Sequence, residues 1–505
     1  MRVARQVRIR MKLLYFNSHR FDNHSFPMSE TKGTRVLTVG PMPPEKSAYA
    51  LARYSRSPDS IAKSIEWVRT HNSEKFLESF YFQYGHASIA DLGHLVICLE
   101  GISELAATEV EDEQLWDGQA RSSRYQDFSK SGFITPPEFS ADDAAKYRQA
   151  GEALLAGYAK VHAGMVGYLS EKLPRPDDMK PDVYGRNIAA RAFDVARYFL
   201  FFGVPTGVGQ VTSIRTLERQ ICRLKASVYA EVRELAAEIA AACALPPNCP
   251  WEPKYETEPI APTLAKYVEV DKHAVQSRQE LTLWAAQNLS AAVKTQSVSV
   301  DLLRSTDTLS EIAATLLYTV TDRPYRQLVD MVTNWSAERR IEVLDVAVKS
   351  RTSRDELLRS FRGGLYAYDL VMDIGAYRDM HRHRRCQQFR QAYSVDLGYA
   401  SPEGIAEAGL EGFYTAAMDG AFSVINALPA PGSHFLFPFA AKSRFLFKMD
   451  FAEAEYISRL RSGVKGHFSY RRIAWQMKEK MAELEPHMAR FLNATPPWVE
   501  DPLKR

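Results

Sequence analysis

The chain is poor in the features that most quickly reveal a protein's class. Its 505 residues include five cysteines, Cys98, Cys222, Cys243, Cys249 and Cys386, with no C-x-x-C pair among them. So sparse and odd a set argues against a disulfide scaffold or a zinc site, and it suits a reducing compartment. No apolar run reaches membrane-spanning length, so no membrane partner is expected. There is no G-x-G-x-x-G stretch, which leaves a Rossmann cofactor domain unsupported. The formal net charge is only +3, too small for a global field that would draw nucleic acid. Residues 1–12 lack any acid and carry Arg2, Arg5, Arg8 and Arg10, as a transit-type segment does. The apolar core of a secretory signal is missing as well. Residues 1–34 are therefore expected to be a disordered extension, or sequence upstream of a start at Met28. A cytoplasmic location is expected.

What is present is globular composition, 46% hydrophobic and 25% charged, with enough chain for two cores. The patterning predicts an α+β fold. A short strand is expected at Arg35 to Val39. Helices are expected at 46–54 and 59–70, the second capped by Asp59. A buried strand should follow at Leu95 to Leu99, and a helix at 104–114. The next helices are read at 141–172, ending at Leu173-Pro174-Arg175-Pro176, and at 191–202. Gly203 to Gly209 reads as a turn. Ile214, Leu217, Ile221, Leu224, Val228, Val232, Leu235 and Ile239 form one apolar stripe, read as a single long helix. A Pro- and Glu-rich linker should occupy 246–270.

The second half repeats this order of landmarks. Helices are expected over 280–317 and 324–348, then a strand at Leu365 to Met372. Gly398-Tyr399-Ala400-Ser401-Pro402 echoes Gly132-Phe133-Ile134-Thr135-Pro136. Leu428-Pro429-Ala430-Pro431 echoes Leu173-Pro174-Arg175-Pro176. A long helix over 451–492 echoes the Ile214 stripe, and Pro497-Trp498 echoes Pro250-Trp251. Two tandem copies of one domain are expected, at 35–245 and 271–505, and they form a pseudo-twofold pair like a fused homodimer.

The densest chemistry lies in Met380-His381-Arg382-His383-Arg384-Arg385. Arg382 and Arg384 carry planar forks suited to phosphate or carboxylate, and His383 between them titrates near neutrality. Alone, the run reads equally as a solvated basic turn or a nucleic-acid patch.

Further residues give it a context. Glu100-Gly101-Ile102-Ser103 followed by Ser122-Ser123-Arg124-Tyr125 resembles the flavin-dependent thymidylate synthases, whose signature is R-H-R-x-x-S and then S-x-R-Y. His86, Ser88 and His94 sit where that family has its upstream H-x-S and H. Ala196-Arg197 and Thr206 fall at its A-R-x-x-L-P...T spacing, and Ser213-Ile214-Arg215-Thr216-Leu217 falls on N-x-R-S-L. The second half resembles the same family through Arg382-His383-Arg384, Phe437-Pro438, Ser443 and Leu460-Arg461. Departures are sorted between the halves. The first has Asp112-Glu113-Gln114 in place of R-H-R and Asp117 in place of its serine. The second has Gln387 for that serine, Ala392-Tyr393-Ser394-Val395 for S-x-R-Y, and Ser433-His434 for A-R. One complete site assembled from both halves is the expected outcome, with its partner site lost.

The resemblance implies methyl transfer to C5 of dUMP, with FAD as cofactor and methylenetetrahydrofolate and NADPH as co-substrates. It implies that Ser122, Arg124, Tyr125, Arg197, Arg382 and Arg461 bind the nucleotide. Arg382 and Ser122 take the catalytic roles, and Arg382 polarises the uracil. His86, Ser88, Arg215, His383 and Arg384 would hold FAD. A dimer of fused chains would mimic the family's tetramer. Residue by residue, plainer readings stay open: Ser122 as a turn residue, Tyr125 as a core aromatic, Arg197 and Arg461 as salt-bridged surface groups, His86 as a core histidine. Alternative functions are C5 modification of another uracil nucleotide, a non-catalytic nucleotide- or flavin-binding relative, and a nucleic-acid binder using 381–385.

Overall fold

Two small antiparallel sheets, wired alike, organise the chain. The computed structural model describes residues 37, 39–55, 57–77, 87–113, 115–124, 126–250, 252–253, 256–263, 268–270, 275–276, 299–304, 307–318, 324–349, 357–358, 360–501 and 503. Met1–Pro41 and Met42–Arg505 are separate units, and the described residues of the first carry no helix or strand. The strand expected at Arg35 to Val39 thus falls largely outside the described residues.

The second unit opens with helices α1 (Pro44–Tyr54), α2 (Ile61–Thr70) and α3 (Ser73–Leu77). The α2 cap is Ser60, whose hydroxyl accepts from Ala62 N, and not the expected Asp59. The first sheet holds β1 (His94–Ser103), β2 (Trp116–Ala120) and β3 (Pro205–Ser213), in the order β1-β3-β2. Between β1 and β2 lies the short helix α4 (Glu104–Glu111). Between β2 and β3 come α5 (Ala141–Lys172) and α6 (Pro181–Ala196), and after β3 come α7 (Ile214–Lys225) and α8 (Ala230–Cys243). The second sheet holds β4 (Val300–Arg304), β5 (Tyr366–Asp373), β6 (Gln387–Arg390) and β7 (Lys442–Met449), in the order β4-β5-β7-β6. Its helices are α9 (Thr308–Tyr318), α10 (Tyr325–Thr333), α11 (Ala337–Val348), α12 (Ile374–Met380), α13 (Glu411–Ala427), α14 (Phe451–Arg461), α15 (Phe468–Leu484) and α16 (Pro486–Ala489).

The wiring β1–α4–β2 and then β3–α7 is matched by β5–α12–β6 and then β7–α14. All four helices start the same way. A short polar side chain at the end of the strand, Ser103, Ser213, Asp373 or Asp450, accepts from a backbone N–H of the first turn. The halves interleave at the centre. Phe439 N donates to Leu200 O at 2.6 Å and Gly203 N to Phe435 O at 2.7 Å. Phe199, Phe201, Phe202, Phe435 and Phe439 are all fully buried there. Each such ring is worth about 1.5–3 kcal/mol of burial. Gly375 N donates to Phe439 O at 3.0 Å, which ties the start of α12 to the same seam.

Several expectations are corrected by packing. The turn expected over Gly203 to Gly209 is confined to its first two residues, and from Pro205 on the segment is β3, the central strand. Its glycines answer crowding, since a Cβ on Gly207 would stand 3.0 Å from Leu99 O and 3.2 Å from Arg121 Nε. β1 is an edge strand with one open face, so Val96 is 70% exposed and not buried. The helix expected over 191–202 begins earlier, as α6, and gives way at Arg197 to a short 3-10 turn (Arg197–Phe199). The Ile214 stripe is split into α7 and α8, both packed on one core, so the pattern runs through the break. The helix expected over 451–492 is three helices. At Gly466 the backbone passes too close to Tyr470 and Arg471 for any side chain, and His467 caps the restart. The helical reading of 280–317 meets β4 and α9, while 281–298 lie outside the described residues. The 246–270 segment packs on the body, with Ala261 N bonded to Cys243 O at 2.6 Å and Thr263 N to Glu45 Oε1 at 2.8 Å.

Candidate active site

The sequence order of the two sheets places the loop after β2 opposite the end of α12. Ser122 and Arg124 lie on that loop, and Arg382 lies two residues past the end of α12. The seam described above sets the 3-10 turn carrying Arg197 against the start of α12. The result is one cavity lined by Glu111, Ser122, Arg124, Arg197, Asp379 and Arg382, together with Arg378. Ser122, Arg124 and Arg197 come from the first half and Arg382 from the second, so the two parts meet within one chain. The cavity measures about 20 Å³, room for one water.

Each arginine is held differently. Arg124 donates through Nε to Asp194 Oδ1 at 2.7 Å and through Nη2 to Oδ2 at 3.3 Å, a two-point pair. It also donates to the Tyr470 hydroxyl at 3.1 Å and to Lys465 O at 3.1 Å. Arg197 is 1% exposed and donates to Gly375 O at 2.7 Å and to Asp379 Oδ2 at 3.3 Å. A Cβ on Gly375 would stand 3.1 Å from Arg197 Nη2, so the glycine lets the guanidinium approach. Arg382 is exposed, and its side chain makes no hydrogen bond or ion pair with any described residue; its backbone carbonyl accepts from Arg384 N at 3.0 Å. Arg461 stands one ring away. Its guanidinium lies 5.7 Å from the Tyr470 ring centre, and its Nε donates to His383 Nε2 at 2.7 Å. Burial raises the Asp379 carboxyl, but Arg197, Arg124, Arg461 and Arg382 together outweigh it and hold the group below the usual carboxylate range. Four of the arginines expected at a nucleotide therefore converge on one carboxylate. Tyr125 lies outside the described residues.

Other lining groups carry chemistry that the sequence reading missed. Arg378 lies 2.7 Å from Glu104 Oε2 and donates to Ser123 Oγ at 3.1 Å. It stands four residues before Arg382, one helical turn, which is the signal that was there to find. Glu111 is pushed up to about 7 by burial, against the pull of Arg378 and Arg382. Asp194 and Tyr470 gave no local signal, since both reach the site by tertiary packing.

The residues expected to hold FAD do not share a cradle among the described residues. Arg215 pairs with Asp91 at 3.0 Å. Arg384 pairs with Asp117 at 2.6 Å and lies over the Trp116 ring. His383, expected on the pyrophosphate, is 4% exposed and engaged at both nitrogens. Arg461 donates to its Nε2, so its Nδ1 carries the proton toward Glu453 Oε1, 3.3 Å away. Burial lowers its pKa despite Glu453 and keeps the ring neutral. The helical setting of α14 puts Glu453 there, and the imidazole bridges it to Arg461. His86 lies outside the described residues, and Ser88 is described only as part of the 3-10 turn Ala87–Leu92.

A second cavity of about 550 Å³ occupies the matching place beside β6, lined by Glu109, Asp112, Arg223, Arg390, Tyr393 and His434 among others. Arg390 is paired to Glu109, and Arg223 Nη1 donates to Glu109 O at 2.9 Å. Tyr229 Oη lies 2.8 Å from His434 Nδ1. Asp112, the position aligned with Arg382, is exposed here. No described helix is long and apolar enough to cross a membrane. No cluster of three metal-ligating side chains occurs among the described residues.

The chain is similar in sequence to known proteins. A UPF0159 protein of Chlamydia muridarum is 24% identical over 430 residues, covering 81% of this chain and 79% of its own length. A UPF0159 protein of Thermoplasma acidophilum is 22% identical over 496 residues, covering 88% and 94%. Among solved structures, a UMP/dUMP methylase, PolB from Streptomyces cacaoi bound with 5-Br dUMP, aligns with 39% of this chain and 95% of its own, at 13% identity and a TM-score of 0.32. The family profile described as thymidylate synthase complementing protein matches residues 38–246 and 302–487, most of the chain in two segments. The chain belongs to the thymidylate synthase complementing protein family.

Proposed function

We propose that the arginine-lined cavity binds a uracil nucleotide by its phosphate, and that the protein is a thymidylate synthase-like methyltransferase acting on C5 of dUMP. The observation that carries this reading is the convergence of Arg124, Arg197 and Arg382, drawn from both halves of the chain, on one cavity. Planar guanidinium forks are the side chains best matched to a phosphate monoester. Arg124 and Arg197 are held by the fold and serve the phosphate. The Arg382 side chain has no bonded partner among the described residues and is exposed, which suits a cation that stabilises negative charge developing on the uracil ring. Ser122 supplies a hydroxyl on the same wall, and Arg461 backs the cluster through Tyr470.

In this reading the two similarly wired segments are tandem copies packed as a pseudo-dimer, and two chains associate to complete the family's arrangement. Methylenetetrahydrofolate and NADPH are the co-substrates the family resemblance brings, and FAD its cofactor. His383, Arg384 and Arg215 do not form a flavin cradle as they stand, each being engaged with another side chain of the fold. A nucleotide-binding relative without turnover is the second reading, favoured by the engagement of His383 with Glu453 and Arg461.

The test is tritium release from [5-³H]dUMP by purified protein supplied with FAD, NADPH and methylenetetrahydrofolate, run beside equilibrium binding of dUMP. Release together with dTMP formation is expected. Binding without release selects the second reading, and absence of dUMP binding ends both.

A further inference from the structure

The buried cations of this site are not paired alike. Arg124 grips Asp194 through both carboxylate oxygens, and Arg378 sits 2.7 Å from Glu104. The acids in these pairs are deep, with side chains 3% and 1% exposed. Arg197 has no such pair. Its two Nη atoms share a single oxygen, Asp379 Oδ2, each at 3.3 Å. Firm charge-assisted bonds run at about 2.7–2.9 Å. Arg197 Nε has no partner among the described residues. The Asp379 side chain is 20% exposed, while Arg197 is almost wholly buried. A cation taken that far from water needs a full counter-charge, and the one carboxylate it bonds among the described residues is loose and reachable, with Asp373 and Glu104 acting on it only at longer range.

The cavity adds a steric condition. With about 20 Å³ free, a phosphate group cannot be added beside Asp379; it has to take that carboxylate's place. A phosphate brings more acceptor oxygens than one shared carboxylate oxygen. It can satisfy Nε as well as both Nη atoms of Arg197.

We propose that Asp379 is a resident stand-in for the substrate phosphate, displaced from Arg197 when the nucleotide binds, so that this one contact sets the site's affinity for phosphate. It is a specificity-determining residue and touches the ligand only by yielding to it. This rests on the cavity being a phosphate site, as in the reading above, but it does not require the ligand to be dUMP.

The experiment is isothermal titration of the full chain and of Asp379→Asn, each with inorganic phosphate and with dUMP, alongside thermal melts. Asn keeps the shape and removes the competing charge, so phosphate should bind about tenfold tighter, some 1.4 kcal/mol. Without ligand the variant should melt lower, because Arg197 loses its counter-charge, and added phosphate should restore it. A lower melt with phosphate affinity unchanged or weaker would make Asp379 a structural counter-ion only and overturn the proposal. Asp379→Ser, which removes the carboxylate and opens space, is read in the same way if the Asn variant fails to fold. Tighter phosphate binding with no dUMP binding in either protein keeps this inference and sinks the nucleotide reading. Equal dUMP affinity in both proteins does the reverse. If neither protein binds phosphate and neither binds dUMP, both fall.

Discussion

The two cavities stand at matching places in two similarly wired sheets, yet they differ in charge and in size. The first is small, about 20 Å³, and crowded with arginines around Asp379. The second is larger, about 550 Å³, with Asp112 and Glu109 where the first has Arg382 and Asp379, and with its Arg390 already paired to Glu109. Volume alone would choose the second. Charge chooses the first, because a phosphate monoester needs unspent cations more than it needs space already cleared. The helices between the cavities show how the division is made: α4 and the residue after it turn Glu111 to the first cavity and Glu109 and Asp112 to the second. One turn of helix separates the chemistry of two sites.

The sharpest way to break this comparison is to remove Arg382, whose side chain bonds no other group among the described residues, from the first cavity. Arg382→Ala should cost about a hundredfold in dUMP affinity, since it deletes a charged contact and disturbs no pair in the fold. The mirror change, Asp112→Ala in the second cavity, should alter dUMP affinity by less than about twofold, because Asp112 is exposed and faces the other site. Equilibrium dialysis of both variants reads the difference. Equal losses would mean that the two cavities are not functionally distinct.

A test of stability in place of binding is offered by the deep pair behind the wall of the first cavity. Asp194→Asn leaves Arg124 buried with its carboxylate gone, and should destabilise the fold by about 3–5 kcal/mol. Urea unfolding measures it. A loss under about 1 kcal/mol, the range of exposed pairs, would show that water reaches Arg124.

The smallest effect is on pH. The Glu111 carboxyl is raised from 4.5 to about 7 by burial. Between those values the folded chain keeps a proton that the unfolded chain releases. Its contribution to stability is whole below about pH 4.5 and declines as the pH rises through 7, by at most about 3 kcal/mol. Glu111→Gln should flatten that slope in denaturation midpoints taken at about pH 5 and pH 8. An unchanged slope would assign the titration to another group. The same substitution should leave the second cavity's charge as it was.

How much of this was readable beforehand varies by residue. Ser122, Arg124, Arg197 and Arg382 are expected together from the family resemblance, and the four line one cavity. Arg461 was found too, but it acts through His383 and Tyr470 at one remove. The burial of His383 is not legible in the sequence, because a basic run reads as a surface until the helix opposite it, here α14 with Glu453, is known. Asp194 and Glu104 were invisible as site residues. Their neighbours in sequence are ordinary helix positions, and their partners lie across the fold.

By itself, the sequence determined which side chains each half kept. The arginines and serine of one signature survive in complementary places, and the cap residues Ser103, Ser213, Asp373 and Asp450 dictate where four helices begin. These are local properties, set by side-chain chemistry and by the spacing of a few residues. Only the tertiary structure decided which of those cations remain free. Arg197 and Asp379 are 182 residues apart in the chain and meet because the 198–203 and 435–441 segments interleave across a shared core. The hydrophobic burial that closes that seam is non-directional and leaves no motif. It nevertheless sets the guanidinium against the carboxylate it must give up to a phosphate.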